Sequence, residues 1–197
     1  MPPLGAFYLK EEIGNEHVWY TILMATIALI IAQEGFQTKE YNDTKHVLES
    51  AGHKVLTISM HKGISISNIN EHIASDMTME ELTIDTVDGA YLIGGPGALR
   101  SLDNEVVYNF FQKVKNKIGM PFGAICISTR ILAKAHVLEG IRATGWNGDK
   151  QLAEILSANG ATYVPNAVVE DGRVVTADGP ASGAAFGSAI AKQFAVT

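Results

Sequence analysis

Residues 121–135, PFGAICISTRILAKA, run from an apolar stretch through a single cysteine into a helical pattern. Residues 121–125 read as a strand and residues 128–135 as a helix, so Cys126 stands in the turn between them. A strand that turns abruptly into a helix can hold its turn residue strained and exposed, and the small Gly123 and Ala124 let the backbone make that turn. The following helix aims free N–H groups and the positive end of its dipole at the sulfur. Both effects favour the thiolate, which is the reactive form. Taken alone, the segment fits a buried thiol at a strand end better than a nucleophile.

Similar runs recur outward from this point. Residues 26–32 (TIALIIA) are a short continuous apolar run, as expected of a strand covered on both faces, and residues 54–59 (KVLTIS) and 90–93 (AYLI) read as further strands. Helical patterns fill residues 37–51, 105–117, 150–158 and 184–194, and Gly52 ends the first of them. In the second, Val106, Phe110, Val114 and Ile118 are spaced for one buried face. Residues 141–144 are short and extended. Residues 168–177 read as a hairpin turning at Asp171-Gly172. Residues 64–84 are mixed, and an acidic stretch from Thr78 is expected to face water. Strands alternating with helices predict an α/β fold: a doubly wound, largely parallel, flavodoxin-like sheet with helices on both faces.

Bulk properties narrow the classes. With 197 residues, 47% hydrophobic and 18% charged, the chain suits one α/β domain and argues against disorder. A net charge of −6 lacks the basic footprint of nucleic-acid binding. One cysteine excludes an intrachain disulfide and fits a reducing, cytoplasmic setting. The apolar run at residues 21–32 is too short to span a bilayer, and the residues before it do not form a clear signal peptide, so no membrane partner is expected. Residues 1–23 read as an N-terminal extension ahead of a single domain at 24–197. Its Phe7, Tyr8, Val18, Trp19 and Tyr20 are costly to leave in water, which fits either a plain appendage or an arm packed on a partner subunit.

Ligands of doubly wound sheets bind beyond the carboxyl ends of the strands. Three segments fall there: Cys126, the loop Gly94-Gly95-Pro96-Gly97, and residues 36–40. Glycines allow free N–H groups to converge, so the amides of Gly95 and Ile127 could form an oxyanion hole. Glu40, in the first turn of a helix, can point back over the strand ends, where a carboxylic acid beside a thiol would share its proton. Each element has a plainer reading: a tight turn that needs glycine, or a solvated acid favourable to the helix dipole. Their convergence on one sheet edge is what favours chemistry.

The segments IALIIAQEGFQTKEY, LESAGHKV, AYLIGGPGALRSLDNEVV, PFGAICIS, ILAKAHVLEGIRAT and VVTADGPASGAAF resemble, in order and spacing, the ThiJ/PfpI superfamily, whose fold is that of class I glutamine amidotransferases. The superfamily includes the Parkinson-associated deglycase and archaeal intracellular proteases. The resemblance covers residue 25 to the C-terminus. It implies that Cys126 is the elbow nucleophile, that Glu40 is the acid beside the sulfur, and that Gly94, Gly95 and Ile127 surround a substrate oxygen. There are departures. Many relatives carry His where Ile127 stands, and the Parkinson-associated branch has His near the position of Trp146. Gln37 and Asp178 replace a family acid and a family Arg. Among six histidines, His53 reads as structural and His136 as packing. His17, His46, His61 and His72 lie outside the matched motifs, and one of them could be supplied by another subunit.

The resemblance implies hydrolase or lyase chemistry on a small-molecule or peptide carbonyl substrate, of glyoxalase, deglycase or peptidase type, in a homodimer or larger homo-oligomer. No cofactor and no metal is implied. Without the family histidine, efficient peptide cleavage is not expected. The alternatives are a redox-sensing or chaperone-like stress protein in which Cys126 is oxidised, and a binding protein that keeps the fold without turnover.

Overall fold

The computed structural model describes the backbone of residues 6–13 and 16–196, and side chains from residue 24 to residue 195. The chain opens with β1 (Ala6–Ile13) and β2 (Glu16–Leu23), paired antiparallel. β3 (Thr26–Ile30), β4 (Glu34–Phe36), α1 (Thr38–Ser50), β5 (Lys54–Ser59), β6 (Ile64–Ser67), β7 (His72–Ala74) and β8 (Met77–Thr78) follow. Next come β9 (Gly89–Leu92), α2 (Ala98–Ser101), α3 (Glu105–Asn116) and β10 (Phe122–Ile125). Beyond the cysteine lie α4 (Thr129–Lys134), β11 (Arg142–Ala143), α5 (Leu152–Ala158) and β12 (Thr162–Tyr163). The hairpin of β13 (Val168–Asp171) and β14 (Val174–Ala177) leads into α6 (Gly183–Lys192) and β15 (Ala195–Val196).

The central sheet has the order β13-β14-β10-β9-β3-β5-β8, parallel throughout except for β13 at the edge. The chain steps outward from β3 through β5 to β8 and returns on the other side of β3 as β9. That reversal opens a crevice at the carboxyl ends of β3 and β9, the usual ligand position in such sheets. Side chains alternate between two cores with the period of a strand. Ala28, Ile30, Ala90, Leu92, Phe122 and Ala124 meet Phe111, Leu132 and Leu156 on one face. Ile27, Leu29, Tyr91, Ile93 and Val175 meet Tyr41, Leu48, Phe186 and Ile190 on the other. Both faces are therefore covered, as the apolar strand runs required.

Local signals set the helix limits. The Gln37 side chain accepts from the Lys39 N–H at 3.2 Å and caps α1, and Gly52 beyond its end takes a left-handed φ of 84°. Asn104 caps α3 by accepting from Val106 and Val107 N–H groups.

Three expectations need correction. The buried face of α3 is Val107, Phe110, Phe111 and Val114, at true helical spacing. Val106 is 41% exposed, and Ile118, beyond the helix end, is 98% exposed. The acidic stretch after Thr78 does not wholly face water: Met79 and Leu82 turn into the core, while Glu80 and Glu81 stay out. His136 is exposed, with a left-handed φ of 56° just past α4, so it ends a helix rather than packing.

β15 pairs antiparallel with β2, so the backbone at Thr21 and Ile22 joins that at Ala195 and Val196. The side chains of Phe7, Tyr8, Val18, Trp19 and Tyr20, on which the expectation of a partner contact rested, lie outside the described residues, as does that of His17. Among the described residues no helix is long and apolar enough to cross a membrane.

Candidate active site

Cys126 closes β10 with a φ of +64° and enters a single 3-10 turn (Cys126–Ser128) that continues as α4. A non-glycine residue held in this left-handed region costs roughly 1–3 kcal/mol, so neighbours must enforce it. Two hydrogen bonds do so. Ser128 Oγ donates to the Ile93 carbonyl at 2.8 Å, tying the start of the helix to the end of β9. The Trp146 N–H donates to the Cys126 carbonyl at 3.0 Å. A side chain on Gly145 would put its Cβ 2.8 Å from that same carbonyl oxygen, so the loop can approach only because this residue is glycine.

The glycine loop after β9 supplies the second wall. The Gly94 carbonyl accepts from the Gln37 N–H at 2.9 Å, and the Gly94 N–H donates to Glu40 Oε2 at 2.9 Å. A Cβ on Gly94 would lie 2.6 Å from the Cys126 Cβ and 2.8 Å from Glu40 Oε2. No other residue type fits between acid and thiol. Gly95 takes a φ of +117°, and a Cβ there would be 2.4 Å from the Gln37 nitrogen. Cap, loop and elbow are thus packed backbone to backbone.

Glu40 is fully buried in the first turn of α1. Its Oε2 is held by Gly94; its Oε1 has no partner with full hydrogen-bond geometry among the described residues. Burial pushes the Glu40 carboxyl up to about 7, against the pull of the Cys126 side chain and the Gly94 amide, and Asp178 adds to the rise. The Cys126 thiol is also pushed up, by burial first and then by the Glu40 carboxylate; the Ile127 and Gly95 N–H groups approach the sulfur and pull the other way. The expectation of a free thiolate is therefore corrected. At 8% exposure, desolvation outweighs the two amides and the turn that follows. The resting pair is a thiol beside an acid that ionises near neutrality.

The structure brings all five sequence-predicted residues, Cys126, Glu40, Gly94, Gly95 and Ile127, to one point. No described histidine affects either Cys126 or Glu40. His46, His61, His72 and His136 are exposed, and His53 is buried with Nδ1 accepting from the Ala25 N–H at 3.3 Å. Sequence reasoning missed the Trp146 amide and the Ser128 hydroxyl, because backbone donors and short-range ties carry no sequence signature. The small Gly145 beside Trp146 was the only available hint.

The model of the DJ-1/PfpI family matches residues 25–193. An uncharacterized protein of Methanocaldococcus jannaschii is 32% identical over 173 residues, covering 85% of this chain and 82% of that protein. A protein of Pyrococcus abyssi named a deglycase is 31% identical over 152 residues, covering 77% of this chain and 89% of the relative. The crystal structure of a ThiJ/PfpI domain protein from Brachyspira murdochii superposes with a TM-score of 0.78 at 25% identity, over 85% of this chain and 95% of that one.

Proposed function

The chain belongs to the DJ-1/PfpI family, and from that premise we propose that it acts on small reactive carbonyls through Cys126, with Glu40 as the proton acceptor and donor. The single observation that carries this reading is the buried Glu40 carboxyl, raised to about 7 and set against the thiol. A base with that proton affinity is half ionised at neutral pH, where a general base works best.

For a 2-oxoaldehyde the steps balance without an oxidant. The sulfur adds to the aldehyde carbon while its proton passes to the Glu40 carboxylate. The new oxyanion is held by the Gly95 and Ile127 N–H groups. Glu40 returns that proton to the oxyanion, which leaves a hemithioacetal and restores the carboxylate. The carboxylate then takes the proton of the former aldehyde carbon and delivers it to the neighbouring carbonyl carbon, while the hemithioacetal hydroxyl proton passes to that carbon's oxygen, so the adduct becomes a thioester of a 2-hydroxy acid. Water hydrolyses that thioester, freeing the hydroxy acid and restoring the thiol. Deglycase chemistry, the activity for which the Pyrococcus abyssi relative is named, would begin here with the same addition. The exposed Asp178, close enough to act on Glu40, favours neutral or cationic substrates over anionic ones.

Peptide cleavage is disfavoured, because no described histidine stands ready to protonate a departing amine. The redox reading is weakened by the raised thiol, since peroxide attacks thiolate. The test is methylglyoxal consumption with hydroxy acid formation by the wild type and by Cys126→Ser. Consumption that requires the sulfur supports the reading; equal rates in both would remove it.

A further inference from the structure

Cys126 and Ile127 share one peptide unit, and that unit has two jobs. Its N–H, on Ile127, approaches the sulfur. Its carbonyl, on Cys126, accepts from the Trp146 N–H at 3.0 Å. A peptide unit is planar, with C=O and N–H pointing in opposite directions, so whatever fixes the carbonyl also fixes the aim of the amide. The Trp146 amide therefore sets the direction of an oxyanion donor from behind. It also polarises that donor, because hydrogen bonds in a chain strengthen one another.

Arg130 contacts both the ring and the carbonyl of Trp146. The Arg130 guanidinium lies 5.4 Å from the centroid of the Trp146 ring. Its Nη2 donates to Asp149 Oδ1 at 2.6 Å and reaches the Trp146 carbonyl at 3.4 Å. Arg130 is only 6% exposed, and its Nε has no partner among the described residues. A cation this deeply buried is expensive, and one ion pair does not satisfy its donors. It sits one helical turn past Cys126, on α4, so the elbow helix itself carries the grip on the loop that closes over the elbow.

We propose that Arg130 is a positioning residue: with Asp149 it clamps the Trp146 loop onto the Cys126 carbonyl and thereby aims the Ile127 amide at the developing oxyanion. The inference rests on the carbonyl chemistry proposed above for its catalytic consequence, but the clamp has its own physical readout.

The test uses Arg130→Met, Arg130→Lys and Asp149→Asn. Asp149→Asn breaks the clamp from its more exposed side and leaves the core untouched, should Arg130→Met fail to fold. Peptide hydrogen exchange over residues 144–149 reads the clamp directly. Methylglyoxal turnover reads its consequence. Released from the clamp, the Trp146 amide should exchange about tenfold faster or more, and kcat should fall by about 10- to 100-fold with KM nearly unchanged, as for a sub-ångström misplacement of a reacting group. Arg130→Lys should recover part of the charge pairing but not the guanidinium's contact with both Asp149 and the Trp146 ring, and should lie between. Faster exchange with an inactive wild type would keep the clamp and remove the carbonyl reading. Unchanged exchange and kcat in a folded Arg130→Met or Asp149→Asn would overturn the proposal.

Discussion

Glu40 and Arg173 are both ionisable groups set into the body of the protein, and the fold treats them in opposite ways. The Arg173 guanidinium donates to the carbonyls of Val114, Lys117 and Met120 at 3.1, 2.7 and 2.8 Å, and also to that of Lys115. It covers the Phe122 ring at 5.4 Å. Those carbonyls lie at and beyond the end of α3; Val114 and Lys117 also accept backbone N–H groups from Lys117 and Met120, and Arg173 fills the acceptor capacity that remains, as a cap would. Glu40, at the carboxyl edge of the sheet, has one oxygen satisfied and one not, and faces the Cys126 thiol. Saturated polar groups hold a fold together; in the function proposed above, the unsaturated one beside the thiol gives up stability for reactivity.

Substitutions can break or sharpen that contrast. The largest effect belongs to Cys126→Ala, which should lower carbonyl turnover by about 10³-fold or more while leaving the melting temperature nearly unchanged. Glu40→Gln comes next. Turnover should fall by about 10²- to 10³-fold, yet stability should rise. The sign follows from the raised proton affinity. Burial of Glu40 carries no charge penalty below its ordinary value of 4.5 and an increasing one as pH climbs through about 7. At pH 8 the amide, which cannot ionise, should be more stable by roughly 3 kcal/mol in urea titrations, and the gain should vanish near pH 4. Gly94→Ala should cost about 10- to 100-fold in turnover, because its methyl group must part the thiol from the acid. Arg173→Met is the counter-case, with the smallest effect on chemistry: a loss of about 2 kcal/mol in stability with kcat unchanged. A strong loss of kcat there would blur the contrast between the two regions.

Much of this contrast was legible in the chain. The apolar run at 26–32 read as a strand covered on both faces, and 54–59 and 90–93 as further strands; they became β3, β5 and β9. Cys126, Glu40 and Gly94 were found because strand ends in a doubly wound sheet converge, whatever lies between them in sequence. The misses share a cause. Val106 and Ile118 have helical spacing, but the true face of α3 was decided by where Asn104 starts the helix and where it stops. The state of the cysteine was misread because helix dipoles can be counted from sequence while burial cannot. Arg173, Trp146 and Arg130 act through backbone carbonyls and stacking, which no residue pattern announces.

The pairing of acid and thiol is tested most directly by the pH dependence of Cys126 alkylation with iodoacetamide. The wild-type rate should climb through a midpoint of about 7, as Glu40 ionises and begins to take the thiol proton. In Glu40→Gln that limb should disappear, leaving reaction only at alkaline pH as the thiol itself ionises. Matching profiles in the two proteins would contradict the account.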